Sequence, residues 1–183
     1  MKLCILGGGL TGLSLAKSLI KKGLSIDIFL NKKKSDFNKS RTIGISNDNL
    51  MYFNKEILDI KKLFWDIKKI EIYSENLRNE KILNFENNNK TVFAIIRNYK
   101  LQSKLLKSLK KDKLCKFKQN FEYNLSNLKK YKLIINCEND NYFTKKFFAR
   151  SLKKKYDSLA YTTILKHEKI QNCLLYTSDA ADD

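Results

Sequence analysis

The sequence predicts an α/β fold built on a parallel sheet with helices packed against it, and three observations predict it. Lys2–Leu6 is an apolar run of strand length that leads straight into Gly7-Gly8-Gly9-Leu10-Thr11-Gly12, after which Leu13, Ala16, Leu19 and Ile20 recur at helical spacing. Residues 24–30 then alternate like a second strand, so the first thirty residues form one strand–turn–helix–strand unit. Residues 132–136 are nearly all apolar between their ends, the pattern of a central parallel strand.

The remaining elements follow in order. Gly23 stands where a helix C-terminus needs a residue tolerant of left-handed backbone. After a polar loop over 31–40, Arg41-Thr42-Ile43-Gly44-Ile45 reads as a short strand, and Ser46 as the cap of a helix to about Lys55. Residues 69–73 and 80–85 are strand-like on either side of a polar connection at 76–79, which predicts an antiparallel hairpin. Residues 91–96 form a further strand, and 99–111, with Leu101, Leu105, Leu106 and Leu109 on one face, an amphipathic helix. Strands over 114–117 and 132–136, a helix over about 142–153 and a strand over about 159–165 complete the pattern, without internal repeats.

Composition bounds the function. At 183 residues the chain has the length of one domain, and 43% apolar with 11% aromatic content is too hydrophobic for disorder. Its four cysteines (Cys4, Cys115, Cys137, Cys173) are scattered with no C-x-x-C pair, which excludes a zinc ribbon and a disulfide scaffold and suits reduced thiols in the cytoplasm. No metal site is expected. The longest uncharged run, residues 3–16, has 14 residues, against the roughly 20 needed to span a bilayer. The formal net charge of +18 invites a nucleic-acid reading, but 33 of the 37 basic residues are Lys, and base and phosphate forks favour Arg. Lys, Asn and Ile in abundance, with no Pro, are what AT-rich coding produces, so no specific nucleic-acid partner is expected; diffuse attraction to an anionic membrane face remains open.

The last eleven residues, 173–183, break with the rest: they hold no Lys, three Asp and two of the six Ala. They look like translated adapter read-through. Residues 1–172, with a net charge of +21 once those aspartates are left out, are then expected to be the front part of something longer.

Gly7, Gly9 and Gly12 have the G-x-G-x-x-G spacing in which the first glycine makes the tight turn, the second lets backbone approach a pyrophosphate, and the third lets helix pack on strand. Leu10 and Thr11 lie between them, where the helix N-terminus faces phosphate oxygens. A glycine-rich turn without a ligand is the alternative. The acidic residue usual at the end of the second strand is missing: the position falls on Leu30, with Asn31 next as a substitute hydrogen-bonding group, and Asp27 lies three residues too early. The Arg-led strand and hairpin that follow, in place of a plain third strand–helix pair, favour FAD over NAD as the bound dinucleotide.

With these residues in view, the chain resembles the FAD-dependent aromatic hydroxylases of ubiquinone biosynthesis, the 2-polyprenyl-6-methoxyphenol hydroxylase type, from Met1 to about Asn172. Three segments carry the resemblance: residues 4–16, residues 41–47 led by Arg41, and Arg97 at the head of Arg97-Asn98-Tyr99-Lys100-Leu101. It implies that Arg41 approaches the flavin and Arg97 the FAD phosphates; without it, both read as surface arginines. The Asp-Gly motif of that family falls on Glu138-Asn139, a carboxylate on a longer arm followed by Asn instead of Gly.

The resemblance further implies a Rossmann-like FAD/NAD(P)-binding domain with the start of the substrate-binding sheet over 1–172. The rest of that sheet and a second flavin-binding motif would lie beyond Asn172, leaving this segment inactive alone. The implied reaction is flavin-dependent monooxygenation of a polyprenylated phenol with NAD(P)H and O2, through a flavin C4a-hydroperoxide. The implied setting is cytoplasmic, peripheral on the inner membrane face, beside other ubiquinone-biosynthesis enzymes. No catalytic side chain is assigned, and His167, the single histidine, reads as structural. Two alternatives stay open: another FAD oxidoreductase of the same fold, and a non-catalytic basic module binding membrane or RNA.

Overall fold

A computed structural model of the chain describes residues 1–30, 39–74, 80–88, 90–119, 128–148, 154 and 173–177. β1 (Lys2–Leu6), α1 (Leu10–Lys21) and β2 (Ser25–Phe29) form the opening unit. α1 ends in the geometry that glycine permits: Gly23 has φ +78°, its N–H donates to Ile20 O at 2.8 Å, and Leu24 N–H reaches back to Leu19 O at 3.3 Å. β3 (Thr42–Ser46) and α2 (Asn47–Tyr52) follow, with a π-helical turn over Phe53–Ile57 closed by Leu58 N–H on Phe53 O at 2.9 Å. Then come β4 (Phe64–Ile67), β5 (Lys69–Ser74), β6 (Glu80–Glu86), β7 (Phe93–Arg97), α3 (Asn98–Lys110), β8 (Cys115–Lys118), β9 (Leu133–Asn136), α4 (Tyr142–Phe147) and β10 (Cys173–Thr177).

The described strands form three sheets. The central one, ordered β8-β2-β1-β9, is parallel throughout. One face, carrying Leu3, Ile5, Ile26 and Ile28, is covered by the apolar stripes of α1 (Leu13, Ala16, Ile20) and α3 (Leu101, Leu105, Leu109). On the other face Cys4 and Leu6 pack with Leu128, Tyr131 and Phe143. β7 is flanked by β3 and β4, antiparallel to both, and buries Ala94 and Ile96 in the main core. The third sheet is the antiparallel hairpin β5–β6, with β10 parallel to β5 on its other side.

Four elements differ from the sequence reading. β4 is an additional strand; its four residues carry Asp66 and abut Lys68-Lys69 with no turn signal, and β7 supplies the ladder that defines it. β9 is the edge of the described central sheet, not its centre, pairing with β1 alone, with Leu133 half exposed. Apolar composition reports that a face is covered, and cannot tell an edge from an interior. α2 gives way to the π-turn after Tyr52, and α4 ends at Phe147, its C-cap Phe148; the rest of the expected 142–153 helix, apart from Lys154 beyond it, lies outside the described residues, as does the strand at 159–165. Within the expected tail, Cys173–Thr177 pairs with β5.

Candidate dinucleotide-binding site

The glycine turn sits at the C-terminal end of β1, between β2 and β9. Gly7 has φ +112°, and its N–H donates to Phe29 O at 3.0 Å, which ties the turn to the end of β2. A Cβ on Gly7 would stand 2.8 Å from Glu138 Cγ and 3.3 Å from the Cys137 carbonyl, so the turn presses against the chain leaving β9. A Cβ on Gly12 would run into the Gly7 carbonyl oxygen, with Ile5 Cγ2 at 3.3 Å; this glycine lets α1 seat against the turn. Gly9 is different. It is exposed, in extended backbone as the N-cap of α1, and a Cβ there would meet nothing within 4 Å.

The turn therefore opens to solvent at Gly9 and is closed at Gly7 and Gly12. Leu10 and Thr11 form the first turn of α1, Leu10 half-buried and Thr11 exposed, and no acidic residue there opposes an anion. An exposed backbone face at a helix N-terminus is the cradle that a pyrophosphate needs. The residues fit an FAD or NAD(P) diphosphate at this point.

Arg41 and Arg97 come together. Arg97 ends β7 opposite Thr42 on β3 and caps α3, and Asn98 N–H donates to Arg41 O at 3.0 Å. Both arginines are exposed, 56 residues apart in sequence and joined by the β3–β7 ladder. α3 in turn touches the glycine turn: Gln102 Nε2 donates to Gly8 O at 2.9 Å. Gln102 carries no motif, and only its place one residue after buried Leu101 could have hinted that it faces inward.

Glu138 is half-buried, and the loop after β9 is held by a polar network. Asn141 caps α4 by accepting from Thr144 N–H at 2.9 Å, and its Nδ2 donates to Asn136 Oδ1 at 2.7 Å. Thr144 Oγ1 donates to Glu138 O at 2.9 Å, and Asn136 Oδ1 accepts from Glu138 N–H at 3.2 Å. Backbone and side chains thus fix the position of Glu138 beside Gly7, and its carboxylate makes no hydrogen bond or ion pair among the described residues.

Asp27 lies away from the turn. Its side chain, 1% exposed, accepts from Tyr131 OH at 2.7 Å and pairs with Lys2 Nζ at 3.0 Å. Burial pushes its carboxyl up, but the Tyr131 hydroxyl and the Lys2 ammonium outweigh that and hold it below the ordinary carboxylate range. Burial, with the Asp27 carboxylate adding to it, pushes the Tyr131 hydroxyl well above its ordinary value. Asp27 is thus a structural anchor of the second sheet face, and Asn31, expected beside the ribose, lies outside the described residues.

Burial also drives the thiols up, Cys4 to about 12 and Cys115 to about 11, and raises Cys137. None of the three is an activated nucleophile at neutral pH. Among the described residues no three His, Cys, Asp or Glu side chains form a metal site, and no helix is long and apolar enough to cross a membrane.

The parallel sheet, glycine turn and covering helices define a Rossmann-like FAD/NAD(P)-binding α/β fold. Solved structures that share it include monooxygenases, one of them described as a probable FAD-dependent enzyme. PqsL of Pseudomonas aeruginosa, a probable FAD-dependent monooxygenase, superposes with a TM-score of 0.62 at 10% identity, over 86% of this chain and 48% of its own. The p-nitrophenol 4-monooxygenase PnpA of Pseudomonas putida superposes with a TM-score of 0.54 at 16% identity, over 64% of this chain and 31% of its own. The chain thus spans about half the length of such structures, or less. No protein-family model and no curated protein matches the sequence.

Proposed function

We propose that the chain is the FAD-binding part of a flavin-dependent aromatic monooxygenase that hydroxylates a polyprenylated phenol, with NAD(P)H as reductant. The observation that carries the reading is the glycine turn, open at Gly9 and closed by Gly12, with Arg41 and Arg97 brought together by one antiparallel ladder. When bound, the flavin supplies the redox chemistry that NAD(P)H and O2 require. Gly9 N–H and the N-terminus of α1 hold the pyrophosphate, and Arg97 supplies positive charge to its phosphates. Arg41, directly before β3, would approach the flavin, as the family resemblance implies. Glu138, fixed by the Asn136–Asn141–Thr144 network, takes the place of the family aspartate as an acceptor for hydroxyls of the cofactor. The polyprenylated substrate, attachment to the inner membrane face and association with other ubiquinone-biosynthesis enzymes rest on the family resemblance; the charge of +18 supports the membrane part.

The test is an absorbance spectrum of the purified protein after FAD addition and desalting, then NAD(P)H oxidation with phenols carrying or lacking a prenyl chain. Flavin bands that survive desalting, and oxidation stimulated by the prenylated phenol, are the expected outcome. A colourless protein retained on RNA or on anionic vesicles in a salt-dependent way would overturn the reading in favour of a basic binding module.

A further inference from the structure

We infer that Gln102 is a positioning residue for the cofactor, setting the orientation of the Gly8–Gly9 peptide, whose N–H faces the pyrophosphate. The inference rests on the flavin reading above and goes beyond it, because no motif points to Gln102.

The argument begins with backbone freedom. Gly8 and Gly9 are consecutive glycines, and glycine populates positive and negative φ about equally, so the peptide between them can flip at little cost. Two other groups in the turn are already held: Gly7 N–H by Phe29 O at 3.0 Å, and Gly9 O by Leu13 N–H at 3.0 Å. Neither bond fixes the Gly8–Gly9 peptide plane. Gln102 Nε2 does so by donating to Gly8 O at 2.9 Å. In a trans peptide the C=O of one residue and the N–H of the next point in opposite directions, and no peptide bond here is cis. Tying Gly8 O to α3 therefore turns Gly9 N–H away from α3, at a residue that is exposed and whose Cβ position meets nothing within 4 Å. Gly9 N–H has no protein partner among the described residues, as a donor kept for a ligand should.

Gln102 itself is well held. It follows Leu101 and precedes Leu105, both buried against the central sheet, so its backbone cannot drift from the turn. α3 begins at Asn98, directly after Arg97, so one helix delivers an arginine at its start and the peptide clamp one turn later.

The experiment uses the full chain and two readouts. FAD is titrated by flavin fluorescence into the wild type, Gln102→Leu, Gln102→Glu and Gly9→Val, from pH 8 to pH 4, below the ordinary Glu value of about 4.3. In parallel the Gly8 and Gly9 amide resonances are followed in the flavin-free proteins. Loss of one hydrogen bond of this kind corresponds to about a tenfold weaker Kd for Gln102→Leu. Gln102→Glu is expected to bind as weakly at pH 8, where a carboxylate faces the carbonyl, and to recover toward wild type as the acid protonates and can donate. In the flavin-free protein its Gly9 amide should titrate with the same midpoint. A residue that merely fills space would show neither pH effect. If Gly9→Val loses FAD while both Gln102 variants bind like wild type at every pH, the inference is overturned and the flavin reading stands. If wild type binds FAD no better than Gly9→Val, the flavin reading falls. In that case, a Gly9 amide that ignores the titration of Glu at position 102 overturns the clamp as well.

Discussion

A methyl group on Gly12 meets the Gly7 carbonyl, whereas one on Gly9 meets nothing, so the two glycines fail for different reasons when replaced. Gly12→Ala forces α1 off the turn and is expected to cost about 1–3 kcal/mol, as overpacking usually does, read as a lower urea midpoint without flavin. Gly9→Val leaves the flavin-free midpoint nearly unchanged, because extended backbone accepts a branched side chain, yet abolishes FAD retention by filling the cradle. Equal loss of stability in both variants would contradict this division. Asp27 makes a pH prediction. Its folded pKa is lowered, so its contribution is present above the unfolded value near 4 and is lost as pH falls through the lower folded value. Wild type should therefore exceed Asp27→Asn in stability at pH 7 and lose that advantage progressively below about pH 4. An advantage unchanged down to pH 2 would mean that Lys2 and Tyr131 do not act through the carboxylate.

At the scale of elements, α3 connects the arginine strand to the glycine turn, and the two ends of the helix should behave differently. Arg97→Ala is expected to weaken FAD binding, while Lys110→Ala, at the far end of the same helix, leaves it unaltered; equal affinities would count against a cofactor role for Arg97. α4 tests the network around Glu138. Asn141→Ala removes the cap from Thr144 N–H and the partner of Asn136, and should cost about 2 kcal/mol in urea unfolding. Most of these elements were legible because their signal is local. The α1 stripe, the glycine spacing, the hairpin and the α3 leucines are patterns within a dozen residues or so. β4 and the edge position of β9 were not legible, since each is defined by the partner strand it meets and not by its own residues. Gln102 was missed for the same reason, its partner Gly8 lying 94 residues away.

For the whole molecule, the sequence announced one parallel sheet and an antiparallel hairpin; the structure adds the antiparallel sheet β3-β7-β4 and sets β10 parallel to β5 beside the hairpin, and apolar side chains stay exposed among the described residues. Trp65, Ile82, Leu83, Phe85, Leu133, Ile134, Phe147 and Phe148 are all exposed. Each could not have been recognised as exposed from a pattern that marks apolar residues as core. Two forces then compete in solution. Apolar patches, and the edge of β9 that has no strand partner among the described residues, favour association, and a net charge of +18 opposes it over a Debye length of about 10 Å at 0.1 M salt. Raising the salt to 1 M shrinks that length to about 3 Å, while burial of apolar surface is not weakened. The chain is therefore expected to be most dispersed at low ionic strength and to associate as salt rises, by light scattering of the purified protein. Ile134→Lys, which places a charge on the exposed edge strand, should shift the onset of association to higher salt without lowering the urea midpoint. Dispersal by salt instead of association would mean that the particles are held by bound polyanions, and that the exposed apolar faces are not what drives the chain together.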